Sequence, residues 1–95
     1  KDAVNLVDNS EYYFLDVRTM REHADGAIPN TDCIPLQELS QRIGELDDYR
    51  DKRVIVYCRS GNRSGKATKI LKENGFDAIN LIGGIKSWEG EVVSN

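Results

Sequence analysis

The feature that most constrains this chain is the stretch VIVYCRSGNRSGKATKIL at positions 54–71, where an apolar run passes through a polar, glycine-bearing turn into a helical pattern. Val54, Ile55, Val56 and Tyr57 are β-branched or aromatic with no polar break, as in a strand buried on both faces. Ala67, Ile70 and Leu71 follow at helical spacing, which predicts a helix beginning near Ser64. Cys58 therefore closes a central strand just ahead of a helix N-terminus. That is the edge of an α/β sheet where ligands collect and backbone N–H groups lie unpaired.

The rest of the chain repeats this alternation. Val4, Leu6 and Val7 predict a short first helix, YYFLDV (Tyr12 to Val17) a buried strand, and TMREHADGAIPN a short helical turn and a loop. A brief strand is expected at Asp32 to Ile34. Leu36, Leu39, Ile43 and Leu46 then predict one amphipathic helix from Pro35 to about Asp47. Gly75 should stop the helix after the cysteine loop, with Phe76 folding back on Leu71. DAINLI (Asp77 to Ile82) reads as the last strand, and GGIKSWEG as a tight turn into a short helix burying Trp88. Strands alternating with helices imply an α/β fold: a small parallel β-sheet flanked by helices on both sides, with right-handed crossovers gathering the strand ends on one edge.

At 95 residues the chain is expected to form a single domain spanning 1–95. A net charge of −3 and a pI near 5.1 argue against nucleic-acid binding, which draws on neutralised phosphates. No window approaches the roughly 18 apolar residues of a membrane span, and KDAVNLVDNS lacks the order of a signal peptide. No membrane contact and a cytoplasmic location are the expectations, with a periplasmic mature form or a module of a longer chain as the alternatives. Two cysteines, Cys33 and Cys58, and one histidine, His23, cannot supply a four-ligand structural zinc site, so no metal is expected. Cys33, in DCIP, reads as a small buried hydrophobe, with a disulfide to Cys58 as the alternative.

The CRSGNRS loop carries the chemistry. An ordinary thiol titrates near ~8.5, and convergent N–H groups, a helix N-terminus and adjacent arginines all favour its anion. Cys58 is the expected nucleophile. Gly61 lets the backbone turn inward, Asn62 tolerates left-handed conformations, and Ser60 completes a nest of donors around the sulfur. Arg59 and Arg63 can hold an anionic substrate or leaving group. No general base is evident, and a thiolate prepared by electrostatics needs none.

DVRTMREH (Asp16 to His23), YCRSGNRS (Tyr57 to Ser64) and LIGGIKSW (Leu81 to Trp88) together resemble the single-domain rhodanese family of sulfurtransferases, in its order and over nearly the whole chain. The cysteine loop is the most specific of these landmarks. The resemblance implies that Cys58 takes a sulfane sulfur from a donor such as thiosulfate and carries it as a persulfide, with no other cofactor. The sulfur then passes to a thiophilic acceptor: cyanide in an assay, a cellular thiol or a protein. One segment departs from the family, which often has GHIPGA where this chain has GAIPNT (Gly26 to Thr31). Ala27 stands in place of the histidine, a change read as structural with an effect on the rim of the site.

Asp16, Arg18 and Glu22 read as an ion-pair and turn network holding the first strand end. Trp88 reads as core. Lys66, Lys69 and Lys72 read as a solvated helix face, with anion steering as the alternative. Rival functions are a cysteine-dependent phosphatase or arsenate reductase, and a sulfur-relay or docking module. Loop length argues against a tyrosine phosphatase, which needs arginine where this chain has Ser64; Arg63 comes one residue too early.

Overall fold

The computed structural model describes residues 2–94. Four strands form one parallel sheet in the order β2-β1-β3-β4: β1 Tyr12–Asp16, β2 Asp32–Cys33, β3 Arg53–Tyr57 and β4 Asp77–Asn80. From β1 the chain steps outward to β2, then crosses back to place β3 on the other side of β1. The order reverses between β1 and β3, so a crevice opens beyond their carboxyl ends. Asp16 is in register with Tyr57 there, and the Val17 N–H donates to the Tyr57 carbonyl at 3.0 Å. Cys58 follows directly.

Both sheet faces are covered. On one, Leu15, Val17, Val54, Val56 and Ala78 pack with Leu39 and Leu46, and with Ala67 and Leu71 of the helix that follows Cys58. On the other, Phe14, Ile28, Ile55 and Tyr57 meet Leu6, Val7, Ile85 and Trp88. Val54, Val56 and Tyr57 are completely buried, as their unbroken apolar run requires. Helix α1 spans Met20–Asp25, α2 Leu36–Leu39 and α3 Asn62–Glu73, with 3₁₀ turns at Asp2–Leu6, Ile43–Tyr49 and Ile85–Ser87.

Several local expectations are corrected. The helix expected from Pro35 to Asp47 is two pieces, broken between Leu39 and Ile43. Ser40 and Gly44 are weak helix formers, and Arg42 clamps the bend by reaching Glu38 and Glu45 at 3.0 and 2.9 Å. Leu39 and Leu46 still face the core. Helix α3 begins at Asn62, two residues before Ser64, because Gly61 at φ 112° forms its N-cap and the Gly65 N–H already reaches the Gly61 carbonyl at 3.0 Å. It ends as the sequence implies. Gly75 takes φ 87°, its N–H bonds the Lys72 carbonyl, and the Phe76 N–H bonds the Leu71 carbonyl.

The last strand stops at Asn80 rather than Ile82, since the Leu81 carbonyl accepts the Gly84 N–H and the chain turns through Gly83 and Gly84. Ile82 projects into solvent, 88% exposed. Trp88 is only half-buried, edge-on to Phe14. Ala27 lies in the interior rather than at a rim, paired with Val93 in an antiparallel bridge, and the neighbouring Ile28 N–H donates to the Tyr57 hydroxyl. No helix among the described residues is long and apolar enough to cross a membrane.

Candidate active site

Cys58 is 1% exposed, and the loop after it closes around its sulfur. The Gly61 N–H donates to Sγ at 3.1 Å and the Ser64 N–H at 3.4 Å, while Ser64 Oγ lies 3.4 Å away. Burial pushes the Cys58 thiol up. The Ser64 hydroxyl and the N–H groups of Ser64, Gly61 and Ser60 outweigh that burial and hold it below the ordinary thiol value. The N–H donors expected from the sequence are its main cause, joined by the Ser64 hydroxyl, and neither Arg59 nor Arg63 is among the leading influences.

The loop is held in shape from behind. The carbonyl of Cys58 accepts the Ile85 N–H at 2.9 Å, and that of Arg59 accepts the Lys86 N–H at 3.0 Å. Carbonyl and N–H of a trans peptide point in opposite directions, so fixing the Arg59 carbonyl outward turns the Ser60 N–H toward the sulfur. Gly84, at φ 59°, makes this contact feasible: a Cβ there would overlap the carbonyl oxygens of Cys58 and Arg59. The GG turn is therefore the backing plate of the cysteine loop.

The two arginines have different surroundings. Arg59 is exposed. Arg63 is held in a bidentate pair by Glu22, at 2.7 and 3.0 Å. Glu22 does not join the strand-end network expected of it. It sits in the first turn of α1, where it forms a capping box with Thr19, and the Arg63 guanidinium holds its carboxyl down at about 2. Asp16 and Arg18 do form the expected network: Arg18 reaches Asp16 at 2.7 Å and the Gly26 carbonyl at 2.6 Å, and His23 Nδ1 meets Asp16 at 2.8 Å. Ser60 and Asn62 are exposed on the loop and at the start of α3.

Cys33 is unpaired and half-buried, neither bridged to Cys58 nor fully in the core. Its thiol faces the carbonyl oxygens of Arg18 and Thr19. Burial first, and then the Asp16 carboxylate, push it up to about 12. The site also includes Ser64, Asn80 and Gly84, none of them among the candidates that the sequence offers. Ser64 directly continues the loop and Gly84 belongs to the recognised GG turn, so both carried a local signal. Asn80 carried none, because its part depends on where β4 ends.

The family model described as Rhodanese-like domain matches residues 1–91. The chain belongs to the rhodanese-like family. A Bacillus subtilis protein is 40% identical, covering 87% of this chain and 79% of its own. The sulfurtransferase of Allochromatium vinosum is 38% identical over 87% of this chain and 77% of its own. The crystal structure of a rhodanese-related protein from Thermoplasma volcanium superposes with a TM-score of 0.86 at 37% identity, covering 98% of this chain and 95% of that one. This rhodanese-like chain thus has sulfurtransferases among its relatives, and its fold is theirs.

Proposed function

We propose that the protein is a sulfurtransferase that moves a sulfane sulfur from thiosulfate, or a related donor, through a persulfide on Cys58. The observation that carries this reading is the sulfur itself, wrapped by N–H donors of a short loop that prepares a thiolate without a general base. The thiolate attacks the outer sulfur of thiosulfate. A new S–S bond forms, the old one breaks, and sulfite leaves with the electron pair. An acceptor such as cyanide or a thiolate then attacks the outer sulfur of the persulfide and returns Cys58 as thiolate. No oxidant, metal or second cofactor enters the balance. A thiosulfate sulfurtransferase of Escherichia coli, 37% identical over 78% of this chain and 71% of its own, supports thiosulfate as donor.

The pairing of Arg63 with Glu22 favours a second reading of the same chemistry, in which donor or acceptor is a protein rather than a free dianion. A cation already neutralised attracts a small dianion less. In the adenylyltransferase and sulfurtransferase of Arabidopsis thaliana, 31% identical, the match occupies 23% of the longer chain. The phosphatase alternative is disfavoured by that pairing and by the early position of Arg63.

Intact mass after incubation with thiosulfate tests the proposal. The expected product carries one added sulfur that dithiothreitol removes and that Cys58→Ser does not acquire. No addition, or addition to the Cys58→Ser variant, overturns it. Hydrolysis of an aryl phosphate faster than sulfur transfer would put the phosphatase reading in its place.

A further inference from the structure

Asn80, the last residue of β4, touches the cysteine loop twice. Its Nδ2 donates to the Gly61 carbonyl at 3.2 Å, and its Oδ1 accepts the Ser64 hydroxyl. A carbonyl oxygen can only accept, so Gly61 fixes which way the amide faces, and the Ser64 hydroxyl has to be the donor to Oδ1. That hydroxyl has a single proton. While Asn80 holds it, Ser64 Oγ offers the sulfur 3.4 Å away only lone pairs, an arrangement suited to a protonated Cys58. Once the sulfur is anionic, the same hydroxyl is better turned toward it. Ser64 is completely buried, so no water competes freely for either role.

We propose that Asn80 is a positioning residue that sets the reactivity of Cys58 by competing with its sulfur for the Ser64 proton. Asn80 restrains thiolate formation in the resting enzyme and yields the proton when negative charge settles on the sulfur. The hydrogen bond to Gly61 keeps the amide in place throughout, on the residue whose own N–H points at the sulfur. The energy at stake is that of one hydrogen bond to a charged group, enough to change an equilibrium several-fold. The importance of this balance for turnover rests on Cys58 carrying the sulfur, as proposed above.

The test is the pH dependence of iodoacetamide alkylation at Cys58, followed on the intact protein by site-resolved mass spectrometry with no sulfur donor present. It reads the thiol alone, so it can fail while sulfur transfer stands, and can succeed while transfer fails. Asn80→Ala releases the Ser64 proton to the sulfur, and the midpoint falls, raising the thiolate fraction at neutral pH about three-fold or more. A purely structural role predicts the opposite, since a loosened nest stabilises the anion less. In a Ser64→Ala background the Asn80→Ala effect disappears. Asn80→Asp loses the donor to Gly61 but keeps an oxygen on the Ser64 proton and adds negative charge beside the sulfur, so the midpoint rises. An unchanged or raised midpoint in Asn80→Ala, an effect that persists without the Ser64 hydroxyl, or a lowered midpoint in Asn80→Asp overturns the inference.

Discussion

Two thiols stand at the same edge of one sheet, Cys58 after β3 and Cys33 at the end of β2, and their surroundings push them in opposite directions. Burial raises both, and is the largest single influence on each. The difference lies in what faces the sulfur. Cys58 Sγ meets N–H groups and a hydroxyl, which favour an anion. Cys33 Sγ meets two carbonyl oxygens, which accept a proton but cannot support a charge, with the Asp16 carboxylate adding repulsion. Arg18 and Arg42 lie near enough to Cys33 to oppose its shift, yet do not reverse it. A nearby cation is thus a poorer guide to a reactive cysteine than the direction of backbone dipoles.

The contrast predicts its largest effect when each sulfur is removed in turn. Cys58→Ser abolishes transfer from thiosulfate to cyanide with the fold intact, because a hydroxyl cannot carry the persulfide, whereas Cys33→Ser turns over like the parent. Steady-state rates with a circular-dichroism control check both, and equal losses would make Cys33 part of the chemistry. Next comes the backing of the loop. Gly84→Ala forces the Cys58 and Arg59 carbonyls away from Ile85 and Lys86, and a displacement near 1 Å in a preorganised site costs ~100-fold in rate. The same substitution at Gly44, where a Cβ meets nothing nearby, leaves the rate unchanged.

A smaller effect follows from the Arg63 clamp. Glu22→Gln frees the guanidinium, and KM for thiosulfate falls roughly two- to five-fold at low salt, less at high salt. An unchanged KM would mean that the N–H nest alone holds the donor. The pair also carries a pH signature. Glu22 titrates at about 2 in the fold against an ordinary 4.5, so its contribution to stability is present above about 4.5 and is lost as pH falls toward 2. Both side chains are about one-third exposed, which keeps that contribution small. Denaturant midpoints across that window, parent against Glu22→Gln, read it directly.

The alternation of strands and helices, the buried β3 run and the stop at Gly75 were legible because each is written in neighbouring residues. Cys58 was legible for the same reason, as strand, turn and helix are contiguous there. The break near Ser40 was hidden because Leu36, Leu39, Ile43 and Leu46 keep helical spacing whether or not the backbone does. The early stop of β4 at Asn80 was hidden by Leu81 and Ile82, which continue the apolar pattern although the chain turns there: Leu81 still donates its N–H to Val56 and packs on the core, while Ile82 projects into solvent. The partners of the loop were harder still. Glu22 and Arg63 are 41 positions apart, and only the folded chain brings the two side chains together. The capping box TMRE, Thr19 to Glu22, was a local sign that Glu22 is fixed, but not of what it holds. Asn80 falls inside the strand expected at Asp77 to Ile82, and nothing local singles it out.

One titration tests most directly the claim that the groups facing each sulfur select the reactive cysteine. Alkylation of both cysteines in the unmodified chain, followed across pH by site-resolved mass spectrometry, gives a midpoint for each. The account predicts a Cys58 midpoint below the ordinary thiol value and a Cys33 midpoint near 12. Midpoints that coincide, or a Cys33 that ionises before Cys58, would contradict it.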